Sequence, residues 1–327
     1  MKTFPRLTIL LLALVFALAS VAPALAAKTF RLGTTVNEQD SFQVAAVKFA
    51  DLVKERTKGE YLIEIYPNAA LGDERTMIEG MQMGTLDFGV LTSAPFVNFV
   101  PDFGMIDLPY LFPPNDQVYK VLDGPIGKEL LAKLDGANLK GLAYAERGFR
   151  NVTNSKRPIV KAADIKGLKI RVMENRVYLA AFRALGANAV PMAFTELLTA
   201  LQQGTIDGQE NPINIIHASK LSDSQKYLTL TRHTYAPAIV TASKQLFDKF
   251  PADIQKIMMD SAQEAAVHAR AWIAANEARQ LAELKKAGME VVENPDLESF
   301  RAAVAKVYDE FPQYAEGVKR IRQQLAQ

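Results

Sequence analysis

The chain has 327 residues, of which 49% are hydrophobic and 23% charged, and its 38 basic and 36 acidic residues leave a net charge of +2. This composition is typical of globular proteins with room for two domains. The near-neutral charge excludes a protein that recruits nucleic acid or acidic lipid through its overall field. The absence of cysteine excludes disulfides, thiol nucleophiles and thiolate metal sites.

The N-terminus has the pattern of a secretory signal peptide. Lys2 and Arg6 precede an apolar run over 7–19, and residues 24–26 (Ala-Leu-Ala) provide a small-x-small cleavage site. A retained membrane anchor is the alternative, but a membrane span requires about 20 apolar residues and this run is shorter. We therefore predict that residues 1–26 are removed and that the mature chain is exported.

Beyond this segment, short strands alternate with amphipathic helices. After a strand at 30–33, apolar residues recur at steps of three and four from Phe42 to Val53, which predicts a helix. Such alternation predicts parallel sheets covered by helices on both faces, the α/β class. The elements predicted after that helix are strands at 61–66, 86–91, 139–144 and 168–172 and helices at 73–83, 176–185 and 196–203.

An internal repeat indicates two such sheets. Residues 82–87 (QMGTLD) reappear as residues 202–207 (QQGTID), with four of the six positions identical. In both copies a helix ends at a glycine and a short apolar strand follows. Chance similarity of a common helix–strand unit is the alternative, and we favour two similarly built lobes.

A long uninterrupted helix is predicted from residue 252 to about residue 287, where glycine and proline are absent. At about 1.5 Å per residue it would reach roughly 54 Å, longer than one lobe. Its apolar positions keep no steady heptad, which disfavours a coiled coil. We predict a hinged clamshell with this helix along both lobes, the first lobe at 27–147 plus 237–276 and the second at 148–236 plus 277–327.

Known catalytic motifs are missing from the sequence, including GxSxG, the phosphate-binding P-loop, HExxH and GxGxxG. His217, His233 and His268 are scattered along the chain, and we interpret them as structural residues. The spacing of the carboxylates singles out no acid–base pair. The sequence thus favours a binding protein over an enzyme, with no cofactor and no metal.

One arginine is placed like an anion receptor. Arg171 alternates with the apolar residues of the strand at 168–172 and lies just before a helix that starts near Asn175. A guanidinium beside a helix N-terminus suits a carboxylate. A surface arginine is the alternative.

Other candidates are weaker on spacing alone. In the predicted polar loop 146–151, Arg147 or Arg150 can enter a cleft, with solvated loop charges as the alternative. Asn211 follows the second copy of the repeat and can donate to a carboxylate without adding charge. Phe194 belongs either to the core or to the wall of a cleft.

Five segments, taken in order, resemble the DctP-type solute receptors of TRAP transporters, the tripartite ATP-independent periplasmic systems. The resemblance implies a two-lobed periplasmic-binding-protein clamshell, each lobe a mainly parallel sheet flanked by helices, that closes over an organic acid. It also implies a monomeric periplasmic receptor that serves a permease with a small and a large membrane subunit and binds no nucleic acid. The segments are LGDER (71–75), GLKIRV (167–172), ALGAN (184–188), PMAF (191–194) and ALQQGTIDGQENP (200–212).

The resemblance also implies roles for individual residues. Arg171 matches the arginine that forms the salt bridge to the ligand carboxylate, and Asn211 and Arg150 match its other carboxylate contacts. This favours Arg150 over Arg147. Thr92 stands where sialic-acid receptors carry glutamate, which argues against sialate. The positions that match the remainder of the pocket are Glu74, Thr92, Glu174, Asn175, Phe194 and Tyr235.

The sequence alone does not identify the ligand. C4-dicarboxylates, 2-oxo or hydroxy acids and uronates each present one carboxylate to Arg171, and we favour a hydroxylated or dicarboxylic acid. Glu174 can accept hydroxyl groups or repel a second carboxylate. The alternative functions are a carboxylate-binding protein that serves an ATP-driven importer or a sensor kinase, and a periplasmic enzyme acting on carboxylates.

Overall fold

The computed structural model describes residues 27–114 and 117–326, so the predicted signal peptide lies outside the described residues. Eleven strands lie within these ranges and form two sheets. In chain order the strands are β1 (Lys28–Gly33), β2 (Tyr61–Tyr66), β3 (Phe88–Thr92), β4 (Leu139–Phe149), β5 (Asn151–Asn154), β6 (Lys169–Val172), β7 (Asn188–Pro191), β8 (Gly208–Asn211), β9 (Tyr227–Thr229), β10 (Tyr235–Ser243) and β11 (Glu290–Val292).

The two sheets are built alike. The first has the strand order β2-β1-β3-β10-β4 and the second β11-β9-β5-β8-β6-β7. In each sheet one strand, β10 or β5, runs antiparallel to both of its neighbours, and the other pairs are parallel. The predicted pair of mainly parallel sheets is therefore confirmed. We call the parts built on these sheets the first and the second lobe.

Helices flank both sheets, and several begin at capping residues. Asp40 accepts from the N–H of Phe42, and Asp73 from the N–H of Thr76, which satisfies helix N–H groups that have no partner within the helix. The α-helices are α1 (Ser41–Arg56), α2 (Glu74–Met83), α3 (Gln117–Leu122), α4 (Pro125–Ala132), α5 (Arg176–Ala184), α6 (Phe194–Gln202), α7 (Ile213–Ala218), α8 (Lys244–Phe247), α9 (Ala252–Lys286), α10 (Leu297–Val304) and α11 (Ala315–Leu325).

The sequence repeat corresponds to one structural unit in each lobe. Gly84 follows α2 and Gly204 follows α6, with φ angles of 73° and 68°. A side chain is strained in this left-handed conformation, so glycine suits the end of each helix. The chain then enters β3 in the first sheet and β8 in the second.

The long helix α9 spans both lobes, as predicted. Four of its alanines, Ala262, Ala265, Ala266 and Ala269, lie in a hydrophobic core of the first lobe that also contains Phe49. Its last turns place Leu284 in a second core, together with Leu201. The helix therefore contributes to the packing of both halves. None of the helices in the described part of the chain has the length and the apolar run needed to cross a membrane.

The prediction of a polar loop at 146–151 is wrong. Strand β4 continues to Phe149, and after Arg150 alone the chain enters β5 of the second sheet. The backbone of Arg150 bonds to the returning segment, since its N–H donates to the Thr234 carbonyl at 2.9 Å. Polar residues occupy a buried strand here because their charges are paired: Arg147 lies 2.6 Å from an oxygen of Asp40.

The two C-terminal helices pack on different neighbours. Helix α10 contacts α5, and α11 contacts α3. Arg320 of α11 pairs with Glu129 at 2.8 Å, and Gln324 donates to the Lys120 carbonyl at 2.8 Å. The lobe boundaries proposed from the sequence stay a prediction.

Candidate functional site

Arg171 lies near the carboxyl end of strand β6 and is only 2% exposed. Its Nε and Nη2 atoms donate to the Met192 carbonyl at 2.9 and 2.6 Å. Among the described residues, no carboxylate lies within 4.0 Å of its guanidinium. Burial lowers the pKa of Arg171 to about 10, so the side chain remains a cation at neutral pH.

A small cavity beside Arg171 brings together four of the predicted site residues: Glu74, Arg171, Glu174 and Phe194. Its volume is about 20 Å³, close to the space of one water molecule. The walls come from both lobes, because Glu74 begins α2 and Phe194 begins α6. The other residues that line it are Asp73, Arg75, Pro95, Met173, Met192 and Ala193.

Glu74 and Thr92 are joined directly. The backbone N–H of Thr92 donates to Glu74 Oε1 at 2.8 Å. Burial raises the pKa of Glu74, although this bond and the positive charges of Arg147 and Arg171 oppose the shift. Glu74 thus offers an acceptor oxygen to the cavity, whereas Thr92 is not among the residues that line it.

Arg150 and Asn211 belong to a second polar group, centred on Glu210. Arg150 is 1% exposed, and its Nε and Nη2 atoms donate to the two carboxylate oxygens of Glu210. Its Nη2 atom also donates to Asn211 Oδ1 at 3.0 Å. His233 Nε2 lies 3.1 Å from the same carboxylate. The charge of Arg150 is therefore already neutralised.

The pKa values in this group follow from the pairing. Burial alone would raise the pKa of Glu210, but Arg150 and His233 hold it below its ordinary value. Burial opposes the charge of Arg150, yet Glu210 keeps the pKa of Arg150 raised. Burial lowers the pKa of His233 despite Glu210, so this ring is neutral at pH 7.

Both the oxygen and the nitrogen of the Asn175 amide make hydrogen bonds within the protein. Its oxygen caps α5 by accepting from the N–H of Val177. Its nitrogen donates to the Ala94 carbonyl at 2.9 Å and to Asp107 Oδ2 at 2.7 Å. Asp107 was not a candidate from the sequence, and burial raises its pKa to about 7. A single acid within an apolar segment was the only signal that could have found it.

Tyr235 is not among the residues that line the Arg171 cavity. Its ring lies in an aromatic cluster, 5.2 Å from Phe149 and 6.1 Å from Phe112 between ring centroids. Its buried hydroxyl has no hydrogen-bond partner among the described residues.

Hydrogen bonds also join the two lobes around this region. Asn37, in the loop after β1, donates its amide to the carbonyl of Ala218 in α7 at 2.8 Å. Asn98 donates to the Glu174 carbonyl, also at 2.8 Å. These bonds were not predicted, because each joins residues at least 76 positions apart. In the described ranges, no group of three or more His, Asp or Glu residues has the arrangement of a metal site.

Comparison with known proteins identifies the family of this chain. The sequence model of the bacterial extracellular solute-binding protein family 7, DctP, matches residues 32–314. The chain is 40% identical over 303 residues to the 2,3-diketo-L-gulonate-binding periplasmic protein YiaO of Escherichia coli, covering 91% of this chain and 92% of that protein.

Solved structures agree with the sequence comparison. A TRAP periplasmic solute-binding protein of Polaromonas, bound to D-erythronate, superposes with a TM-score of 0.89 at 44% identity and covers 90% of this chain and 98% of its own. The sugar acid binding protein DctPAm of Advenella mimigardefordensis, in complex with galactonate, has a TM-score of 0.88 at 37% identity, with 92% and 98% covered. The chain therefore belongs to the DctP family of TRAP-transporter solute-binding proteins.

Proposed function

We propose that the mature chain captures an organic acid whose carboxylate becomes the counter-ion of Arg171. One observation carries this proposal. Four arginines are buried among the described residues, and Arg147, Arg150 and Arg270 each pair with a carboxylate, whereas Arg171 does not. A buried charge without a partner is costly. An incoming carboxylate would remove that cost through a bidentate pair of hydrogen bonds.

The other charges at the cavity favour an acid with one carboxylate and several hydroxyl groups. Glu74 and Glu174 line the cavity with Arg171 and can accept hydrogen bonds from hydroxyls, while they would repel a second carboxylate. The relatives compared above are named for, or hold, a diketogulonate, an erythronate and a galactonate. We therefore propose a sugar acid of the aldonate type in preference to a C4-dicarboxylate.

The size of the cavity requires the lobes to move. At about 20 Å³ it cannot hold a sugar acid, so its walls must separate to admit the acid and must stay farther apart around it than they are here. The acid then docks on Arg171, and closure of the lobes excludes water and strengthens each polar contact. The bonds made by Asn37 and Asn98 re-form as the lobes meet.

The remaining parts of the proposal concern the cellular setting. We propose that the chain is exported to the periplasm after cleavage near Ala26, that it acts as a monomer and that it releases its ligand unchanged. Its partner would be a TRAP permease with a small and a large membrane subunit. Membership of a family of periplasmic solute receptors supports this setting.

A thermal-shift screen of residues 27–327 tests the proposal. We expect galactonate, erythronate or a related sugar acid at 100 times its Kd to stabilise the protein by about 2.7 kcal/mol, a rise of several degrees in Tm. C4-dicarboxylates serve as the matched acids with a second charge. A shift with dicarboxylates alone would overturn the ligand class. No shift with any carboxylate, after unfolding and refolding to remove retained ligand, would overturn the receptor role.

A further inference from the structure

A chain of buried polar side chains leads away from Asn211 into the second lobe. The Asn211 amide donates to Gln209 Oε1, and the Gln209 amide donates to Thr153 Oγ1 at 2.9 Å. The Thr153 hydroxyl donates to Gln225 Oε1 at 2.8 Å. The Gln225 amide ends the chain by donating to the Ser224 carbonyl at 3.0 Å.

The sheet places these side chains in a row. Gln209 and Asn211 are two residues apart on β8, so their side chains lie on the same face. Thr153 of β5 is the register partner of Gln209 across the antiparallel pair. Thr153, Gln209 and Gln225 are at most 1% exposed, so water cannot readily replace their mutual bonds.

The groups at its two ends fix the direction of the chain. Arg150, at one end, can only donate, and its Nη2 atom faces Asn211 Oδ1. The Ser224 carbonyl, at the other end, can only accept. Turning the Asn211 amide around would set its NH₂ group against the guanidinium N–H groups. Each amide in the chain therefore has one favourable orientation, and Asn211 retains a second N–H beyond the one given to Gln209.

We propose that Gln209, Thr153 and Gln225 are positioning residues of the acid-binding site. They hold the Asn211 amide so that its second N–H is available to an oxygen of the ligand carboxylate. The inference rests on the proposed function, since it assumes a carboxylate near Asn211. An amide that is already oriented loses little conformational freedom when the ligand binds, which raises affinity.

Two matched threonine variants test this inference. Thr153→Val removes a hydroxyl from the row of hydrogen-bonded side chains. Thr229→Val removes a hydroxyl on β9 that donates to the Ile159 carbonyl at 2.9 Å. This second hydroxyl is not part of the row, but it lies in the same sheet and is equally buried. We expect both variants to lose stability in urea, because each loses a buried hydrogen bond. Only Thr153→Val should weaken galactonate binding, by about tenfold, and Thr153→Ser should restore it to within about threefold.

A pH profile separates positioning from general damage. In Gln209→Glu, the ionised carboxylate can only accept, so it draws the Thr153 hydroxyl away from Gln225. The protonated carboxyl can donate to Thr153 as the amide does. Burial raises the pKa of such a carboxyl, and the guanidinium groups of Arg171, the register partner of Gln209, and of Arg150, which contacts Asn211, oppose that shift. We therefore expect affinity relative to wild type to be lowest at pH 8 and to recover toward pH 5.5.

The outcomes distinguish this inference from the function on which it rests. Wild type that binds no sugar acid in the screen would reject the proposed function. Wild type that binds galactonate while Thr153→Val binds it within twofold would reject the positioning role alone. If Thr153→Val does not fold, the Gln209→Glu profile decides, and a constant ratio to wild type between pH 5.5 and 8 rejects the inference.

Discussion

Arg150 and Arg171 are buried to almost the same extent, yet their surroundings are opposite. Arg150 meets both oxygens of Glu210, and its pKa is raised. Arg171 meets one backbone carbonyl, and its pKa is lowered to about 10. Burial disfavours both charges, so the difference lies in the partner. A buried arginine with its own carboxylate is neutralised within the fold, whereas one without such a partner can still pair with the carboxylate of a ligand.

Two carboxyl groups lie near Arg150, one more than is needed to neutralise its charge. Glu210 already pairs with it, and the carboxyl of Asp107 lies close enough for Arg150 to lower and Glu210 to raise its pKa. The cavity at Arg171 has Glu74 and Glu174 in its walls but no carboxylate in contact with the guanidinium. The two arginines should therefore respond differently to mutation.

The largest expected effect is on ligand affinity in Arg171→Met. Loss of one partner of a buried ion pair costs about 3–5 kcal/mol, which corresponds to a decrease of about 10²- to 10³-fold in affinity. The ligand-free protein should be as stable as wild type or more so, because no carboxylate loses a partner. Calorimetric titration with galactonate and urea unfolding measure the two effects. The exposed Arg183→Met is the control, and binding by Arg171→Met within threefold of wild type would contradict the prediction.

Arg150→Met, in contrast, should mainly lower stability. It leaves Glu210 buried without its counter-ion, so we expect the free energy of unfolding to fall by about 3–5 kcal/mol. Adding Glu210→Gln should recover much of this loss, and a double-mutant cycle in urea measures the coupling. A single variant as stable as wild type would show that the pair does not stabilise the fold.

Asp107→Asn tests the excess of acid near Arg150. The pKa of Asp107 is raised from 3.8 to about 7. At pH values between these two, the folded state therefore binds the proton more tightly than the unfolded state does. Its contribution to stability therefore falls as pH rises from about 4 to about 7, by at most about 4 kcal/mol. The variant should remove this slope. Urea unfolding across this range, with wild type alongside, measures it, and parallel curves would contradict the shift.

The smallest expected effect on ligand affinity is that of Asn37→Ala, a substitution that leaves both Arg150 and Arg171 in place. It removes a hydrogen bond between the lobes, so we expect galactonate binding to weaken by about two- to tenfold through a less stable closed form. The preference among acids should not change. Asn188→Ala, which removes a bond within the second lobe, is the control, and equal affinities of the two variants would argue against a role in closure.

The sequence predicts what depends on neighbouring residues. The strand–helix alternation, the glycines that end α2 and α6, and the long helix α9 were all predicted, because each is encoded within one segment. The candidate position of Arg171 followed from one strand and the helix after it. Pairing across the chain was not predicted. Arg147 and Asp40 are 107 residues apart, so a buried pair looked like part of a solvated loop.

The same limit applies to the second polar group. Arg150 finds its partner Glu210 60 residues away, and the partners of Asn175 lie 68 and 81 residues away. No local pattern reveals which arginine has a carboxylate in the folded chain. The distinction between a structural and a receptive arginine therefore requires the fold.

The central claim is that the ligand carboxylate is the missing counter-ion of Arg171, and a crystal structure of residues 27–327 with galactonate tests it most directly. We predict that carboxylate oxygens lie about 2.7–2.9 Å from the guanidinium nitrogens of Arg171, with hydroxyl groups on Glu74 or Glu174. Arg150 should remain paired with Glu210. A carboxylate bound to a different cation, with Arg171 still bonded only to the Met192 carbonyl, would contradict the account.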